Sequence, residues 1–179
     1  MKRRYMKIWL VGLILALTVF SNVLYAANQS SKTYVSKKYG FKIDYPSNWE
    51  FREKVMNAEV VFLAPPEDAS DQFRENVNVG VIGVPANTDL NAVKDATIQQ
   101  LGNMVTNFNL VAEKPVTWLG NNAYAMVYTG TMGKYQLQWQ QIFTIVDDAA
   151  YILTYAAETK SYNKFFPYFN QIAASFRFR

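Results

Sequence analysis

The chain has 179 residues, of which 50% are hydrophobic and 16% aromatic, and it contains neither cysteine nor histidine. The absence of these two residue types excludes disulfides, thiol nucleophiles, Ser-His-Asp triads and histidine-based zinc sites. Its 18 basic and 14 acidic residues give a formal net charge of +4.

The start of the chain has the layout of a secretory signal peptide. Basic residues from Lys2 to Lys7 precede an apolar run, Ile8 to Phe20, and small residues follow at Ala26-Ala27. The run is shorter than the roughly 20 apolar residues of a transmembrane helix. We therefore predict cleavage after Ala26 or Ala27 and export to the periplasm or the extracellular space, with a retained N-terminal anchor as the alternative.

The charge of the mature chain follows from this leader. The leader carries four of the 18 basic residues and no acid, which leaves 14 bases against 14 acids. Nucleic acid is therefore not expected as a partner, because binding to its backbone needs a basic face. We assign residues 1–26 to a signal peptide, 27–37 to a flexible leader in which Tyr34-Val35 could form a short first strand, and 38–179 to a single domain.

The stretch from Tyr39 to Trp49 predicts a strand followed by a turn. Phe41, Ile43 and Tyr45 alternate with polar residues, which is the period of a half-buried strand. Pro46 ends this strand, and Trp49 should return a large apolar surface to the core. A hairpin is predicted next from 51–55 and 60–63, and another strand from 77–81.

The rest of the chain predicts two helices around a meander of strands. A helix should begin at Thr88-Asp89, with apolar residues at helical spacing up to Phe108. Strands follow at about 110–118, 123–131, 135–145 and 150–157, with turns at Gly120 to Asn122, Gly130 to Gly133 and Asp147-Asp148. A last helix should begin at 159–161, with Pro167 in its first turn.

The buried stripe of this last helix is predicted to consist of its regularly spaced apolar residues: Phe165, Phe169, Ile172, Ala173 and Phe176. The order of elements predicts an α+β fold, an antiparallel β-sheet flanked by helices. The first helix could instead dock on a membrane, but its polar face lacks the basic residues typical of such helices.

Two segments resemble a known family. The stretch Tyr39-Gly40-Phe41 to Tyr45-Pro46-Ser47-Asn48-Trp49 resembles the start of PsbP-like domains, and the aromatic segment from Ala174 to Phe178 resembles their end. The wider group includes the extrinsic photosystem II protein, the Mog1-type Ran-binding proteins and the bacterial DcrB-like envelope proteins. The resemblance implies an α/β/α sandwich and a non-catalytic accessory or binding role, often at a membrane protein complex.

This chain departs from some of those relatives in two respects. Many bacterial members are lipoproteins, whereas this chain has no cysteine to lipidate. Histidines are among the proposed metal ligands of the photosystem protein, and this chain has none. Neither the lipid anchor nor the metal role is therefore carried over, and no metal site, cofactor or catalytic residue is assigned.

Two sets of residues are candidates for a binding surface. The first set is aromatic and apolar and could line a groove for an apolar ligand or a partner: Tyr124, Met126, Tyr128, Trp139 and Tyr155. The second is an uncharged polar row that suits a wet interface or a glycan-like ligand: Gln136, Gln138 and Gln140. The alternatives are a sheet face packed under a helix for the first set and a plain solvent face for the second.

The acidic residues give weaker signals. Glu67, Asp68, Asp71 and Glu75 form the densest cluster, and carboxylate oxygens suit calcium. Their spacing differs from that of a calcium-binding loop, so a solvated loop is the favoured interpretation. Asp147-Asp148 is interpreted as a turn.

Three functions remain open at this point. The first is a PsbP-like accessory protein of the cell envelope that associates with a membrane protein complex, with peripheral membrane association left open. The second is a module that binds a small ligand or a carbohydrate. The third, a carboxylate-based hydrolase, is disfavoured because the sequence indicates no concave site with paired acids.

Overall fold

The computed structural model describes residues 30–179, which form two β-sheets and two helices. The strands are β1 (Ser31–Ser36), β2 (Phe41–Pro46), β3 (Glu50–Val55), β4 (Ala58–Leu63), β5 (Asn76–Gly83), β6 (Thr106–Trp118), β7 (Asn121–Met132), β8 (Tyr135–Val146), β9 (Ala149–Glu158) and β10 (Arg177–Phe178). The helices are α1 (Leu90–Met104) and α2 (Tyr162–Ser175). The predicted signal peptide, 1–26, lies outside the described residues.

Both sheets are antiparallel. The larger sheet has seven strands in the order β3-β4-β5-β9-β8-β7-β6, and the smaller has three in the order β1-β2-β10. The insertion of β9 beside β5 brings residues from the two halves of the chain together in the centre of the large sheet. The predicted α+β class, an antiparallel sheet flanked by helices, is confirmed.

The inner face of the large sheet carries the main core. Val60 and Phe62 of β4 and Leu153 and Tyr155 of β9 are buried there against α2 and the small sheet. On α2 the predicted stripe is buried as expected, and Phe176 stacks on Phe41 of β2 at a centroid distance of 4.6 Å. This face is therefore covered by α2 and the small sheet, largely through aromatic packing.

The outer face is covered over part of its width by α1. This helix packs on β6 and β7, where it covers a smaller cluster that includes Met126 and Tyr128. None of the residues of α1 is fully buried, although Leu90, Val93 and Leu101 pack against the cluster. The part of the outer face over β4, β5 and β9 has no helix of the described chain on it.

The ends of the helices follow partly from local sequence. Asp89 caps α1, because its Oδ1 accepts a hydrogen bond of 3.1 Å from the backbone N–H of Asn91. In α2 the predicted position of Pro167 is wrong: the proline lies inside the helix rather than in its first turn. Since proline has no N–H, α2 lacks one internal hydrogen bond and depends on its buried stripe.

Two boundaries in the sequence analysis are corrected by the strands. Residues 31–36, assigned to a flexible leader, form β1 and pair with β2 along their whole length, so the folded domain begins at Ser31 rather than at 38. Gly130, assigned to a turn, lies within β7, and the turn is at Gly133. A Cβ at Gly130 would lie 2.3 Å from Cγ1 of Val105, so glycine is needed where the chain leaves α1.

Candidate functional site

A groove lies on the uncovered part of the outer face. It spans β4, β5, β9 and β8 and encloses about 460 Å³. The side chains that define this outer-face groove include Leu63, Asn78, Ile82, Leu137, Trp139 and Ile152. These positions point outward because the strands alternate: Val77 and Val79 face the inner core, whereas Asn78 and Ile82 face the groove.

The lining is mostly apolar. None of the described residues that line the groove carries a charge. In the middle of the floor, Gln141 Nε2 donates to Thr154 Oγ1 at 3.0 Å across neighbouring strands. Gln141 is only 8% exposed, and its Oε1 has no hydrogen-bond partner among residues 30–179. A neutral apolar floor with a few polar groups is the usual composition of a binding pocket.

The rim of the groove is also apolar. Met56 is 97% exposed, and Ile82 and Met132 are each 54% exposed. Met56 lies at the tip of the β3–β4 hairpin with a φ of +53°, a left-handed conformation that costs a side-chain-bearing residue about 1–2 kcal/mol. The hairpin therefore holds a large apolar side chain in water at the mouth of the groove.

An acidic pocket adjoins the groove at the end of β9. It encloses about 260 Å³, and its lining includes Glu67, Asp68, Asp71, Glu158 and Lys160. Phe73 lines both the pocket and the groove and therefore forms a shared wall. Its ring packs on Tyr135 at a centroid distance of 5.2 Å, and the Tyr135 hydroxyl donates to the Gln72 carbonyl at 3.0 Å, which fixes the wall in place.

The acids of this pocket differ in their partners. Glu67 accepts from Lys164 at 2.5 Å and Glu158 pairs with Lys160 at 3.0 Å. Asp68 makes no ion pair within the described part of the chain, and hydrogen bonds from Ser70 hold its pKa below the usual value. Asp68 is therefore ionised at neutral pH and available to a basic group.

Asp71 stabilises the loop itself. Its carboxylate accepts from the backbone N–H groups of Glu67 at 2.9 Å and Phe73 at 3.0 Å. Like Asp68, it forms no ion pair with a lysine or arginine of residues 30–179. Lys134, whose ammonium donates to Gln72, lies at the edge of the pocket.

The aromatic candidates from the sequence occupy two different faces of the large sheet. Tyr128 and Trp139 face each other across β7 and β8, with rings stacked at 5.1 Å on the outer face. Tyr128 is buried below α1, which raises the pKa of its phenol well above the usual range, whereas Trp139 reaches the groove floor. Tyr124 donates to Asn91 of α1 at 2.8 Å. Tyr155 is on the inner face and donates to the Tyr162 carbonyl.

The glutamine candidates share the inner face. Of the row, only Gln136 is exposed; Gln138 and Gln140 are half-buried next to Tyr162, so the expectation of an exposed row is wrong for these two. The six binding candidates are therefore divided between opposite faces of one sheet. Only Trp139 belongs to the outer-face groove.

The acidic loop also differs from the expected solvated segment. Glu75 is 1% exposed and accepts a hydrogen bond from the Ser161 hydroxyl at the start of α2. Burial raises the pKa of Glu75, and the nearby Glu67 and Asp71 raise it further. Within residues 30–179, no three His, Cys, Asp or Glu side chains are arranged to hold a metal ion.

Sequence reasoning did not find the groove or most of its lining. Asn78 lies within the predicted strand 77–81 and Ile82 directly after it, Met56 lies between the two predicted strands of the hairpin, and Phe73 lies in the acidic loop; none of them was singled out as a binding residue. One signal was present: the outward positions of this strand are uncharged, which is unusual for a solvent face. The pairing of β5 with β9 that completes the floor is not readable from local pattern.

Comparison with solved structures identifies the fold. The cyanobacterial PsbP protein CyanoP from Synechocystis sp. PCC 6803 aligns with a TM-score of 0.62 and 16% identity over 84% of this chain and 94% of that one. LpqN of Mycobacterium tuberculosis, described as involved in cell envelope biogenesis, aligns with a TM-score of 0.61 and 13% identity over 83% of this chain and 90% of that one. The Ran-binding protein Mog1p of Saccharomyces cerevisiae aligns with a TM-score of 0.59 and 12% identity over 84% of this chain and 96% of that one.

These identities are too low to show more than the fold. The search of curated protein sequences found no match. A family model described as "PsbP-like protein" matches residues 19–178, which is nearly the whole sequence. The chain therefore belongs to the PsbP-like protein family.

Proposed function

We propose that this protein is a non-catalytic, exported binding protein of the cell envelope that associates with a membrane protein complex through the outer-face groove. The observation that carries the proposal is the groove itself, an uncharged concavity of about 460 Å³ with an exposed apolar rim. Exposed apolar surfaces of this kind mark interaction sites in soluble domains.

The chemistry of the groove favours binding over catalysis. Nucleophilic and general-base mechanisms most often use histidine or cysteine, and the chain contains neither. The carboxylates nearest the groove are in the acidic pocket, where Glu67 and Glu158 pair with lysines and Asp71 holds the loop. None of the described acids lines the groove floor.

The location in the envelope is supported by the leader and by the relatives. The basic and apolar layout before Ala27 is that of an export signal. LpqN, which has the same fold, is described as involved in cell envelope biogenesis. Neither helix among residues 30–179 is long and apolar enough to cross a membrane.

A photo-crosslinking residue placed at Ile82 tests the proposal in intact cells. We expect crosslinks from Ile82 to a membrane protein, and none from an equivalent probe at Val111, an exposed residue of β6. N-terminal sequencing of the same exported protein should begin at Ala27 or Asn28. Equal labelling from the two positions, or recovery of the intact chain in the cytoplasm, would contradict the proposal.

A small ligand is the second candidate, because the groove volume falls in the range of about 300–1,000 Å³ typical of small-molecule pockets. Native mass spectrometry of the protein purified from the cell envelope distinguishes a small ligand from a partner protein as the occupant of the groove. A bound compound that is lost in an Ile82→Asp variant would favour the ligand, whereas the crosslinked protein favours the adaptor role.

A further inference from the structure

The outer-face groove runs along the strands. On β5 it extends from Ile82 to Asn76, and these residues pair with Ala150 and Ala156 of β9. The six residue-to-residue steps of strand between them correspond to about 20 Å. The groove is open at the hairpin tip and ends at Phe73, beyond which the acidic pocket begins.

The floor is a sheet face, which determines the kind of backbone that can lie on it. The strands below it are fully paired with one another, so their side chains, not their backbone groups, face the groove. An extended peptide lying there would leave its own N–H and C=O groups without partners. A helix satisfies these groups internally, and α1 already packs in this way on the neighbouring part of the same face.

The rim indicates a partner larger than the cavity. Met56, Ile82 and Met132 project apolar side chains around the mouth and not into the floor. An occupant confined to the groove would leave these side chains in water. A helix about 10 Å across would contact both the floor and the rim, and methionine side chains adapt easily to such a surface.

The charges differ between the groove and its far end. The floor requires an uncharged surface, since burying an unpaired charge is costly. Beyond Phe73, Asp68 and Asp71 form no ion pair within residues 30–179, and the acidic residues there outnumber the lysines even when Lys134 is included. A basic residue next to the apolar surface of an occupant would complement this end.

We propose that the groove binds an amphipathic helix of the partner protein, with its apolar face on the strands and a lysine or arginine in the acidic pocket. Such a helix needs about 13 residues to span about 20 Å. This inference rests on the proposed binding function and specifies the chemistry of its partner.

Synthetic peptides test this chemistry without knowledge of the natural partner. The probes are 14-residue amphipathic helices with leucines on one face and a lysine at either end, and matched peptides with glutamate in place of lysine. Titration calorimetry with the predicted mature chain, residues 27–179, should show that the better lysine peptide binds about fivefold more tightly than its glutamate match.

Two variants separate the apolar and the charged contributions. Ile82→Asp should weaken all the peptides by about tenfold or more, because it places a charge on the apolar rim. Asp68→Asn should weaken binding of the lysine peptide, slightly strengthen binding of the glutamate peptide, and reduce the lysine preference to about twofold. Val111→Asp and Glu113→Gln on β6 are matched controls outside the groove, and they should bind as the wild type does.

The possible outcomes distinguish this inference from the function on which it rests. Binding with no preference between lysine and glutamate, or binding unaffected by Ile82→Asp, overturns the amphipathic-helix proposal. Peptides that fail to bind while Ile82 still crosslinks to a membrane protein also overturn it but leave the binding function standing. Binding to neutral phosphatidylcholine vesicles that is lost in Ile82→Asp would identify a lipid as the occupant instead. If Ile82 gives no crosslinks and the peptides do not bind, the binding function and the amphipathic-helix proposal are both rejected.

Discussion

The two faces of the large sheet are built from the same strands but differ in how they are closed. The inner face packs on α2 and the small sheet through fully buried rings such as Phe62, Tyr155 and Phe169. The outer face is covered only in part, by a helix with no fully buried residue. The difference indicates that the inner face provides most of the stability of the domain, whereas the residues of the outer face are less constrained by packing.

Truncation of Trp49 should give the largest effect on the inner face. Trp49 is 4% exposed, as expected from the sequence, and contacts Phe165 and Tyr168 of α2. Trp49→Ala should lower the free energy of unfolding by about 3–5 kcal/mol. Chemical denaturation measures this value, with Phe51→Ala, at a more exposed position, as the control. A loss no larger than that of the control would show that the inner face does not dominate stability.

The attachment of α1 can be broken at Gly130. A Cβ there would lie 2.3 Å from Cγ1 of Val105 and 3.0 Å from the carbonyl oxygen of Thr106. Gly130→Ala should therefore cost about 1–3 kcal/mol, and Val105→Ala in the same chain should recover part of it. Gly83→Ala, whose Cβ would meet no atom within 4 Å, is the control. Equal stabilities of the two alanine variants would contradict the close crossing of β7.

Substitution at the tip of the β3–β4 hairpin should raise the stability of the domain, whereas the two preceding substitutions lower it. Met56 has a left-handed backbone, which glycine adopts without strain. Met56→Gly should therefore stabilise the domain by about 0.5–1 kcal/mol while weakening binding in the groove. A thermal melt and a peptide titration on the same sample measure both quantities. Destabilisation on substitution would mean that Met56 contributes to packing, which would remove the argument for a functional rim.

The smallest effect should be a pH-dependent change at Glu75, the buried acid of the inner side. Burial raises its pKa above the reference value of 4.5, so the folded state binds the proton more tightly than the unfolded state. This contribution is fully present below about pH 4.5 and is lost as the pH rises through the folded-state pKa. The Glu75→Gln variant should not lose stability over this pH range, because glutamine does not titrate. Parallel pH–stability curves for the two proteins would contradict the assignment.

The sequence predicted the elements whose signals are local. Alternation identified β2 and the β3–β4 hairpin, and spacing identified the buried stripe of α2. Long-range features were missed. β10 has only two residues, and its pairing with β2 could not be read from its own sequence. Gly130 was assigned to a turn because turns commonly use glycine, whereas its role is to admit the chain leaving α1.

The candidate site was harder to predict for the same physical reason. A groove depends on which strands are neighbours, and β9 pairs with β5 although α1 and the strands β6, β7 and β8 lie between them in the sequence. Alternation correctly separated Trp139 from the glutamines but gave no information about which face would remain uncovered. The half-burial of Gln138 and Gln140 depends on Tyr162 of α2, which no local pattern places there.

The small sheet has a consequence for the order of folding during synthesis. β2 lies between β1 and β10, and although Tyr45 stacks on the nearby Phe62, other contacts of β2 are made with α2 and Phe176, more than 110 residues further along the chain. A nascent chain that has exposed only β1 and β2 holds an isolated hairpin, which is marginally stable at best in water. The small sheet is therefore complete only after the last helix and β10 have been synthesised.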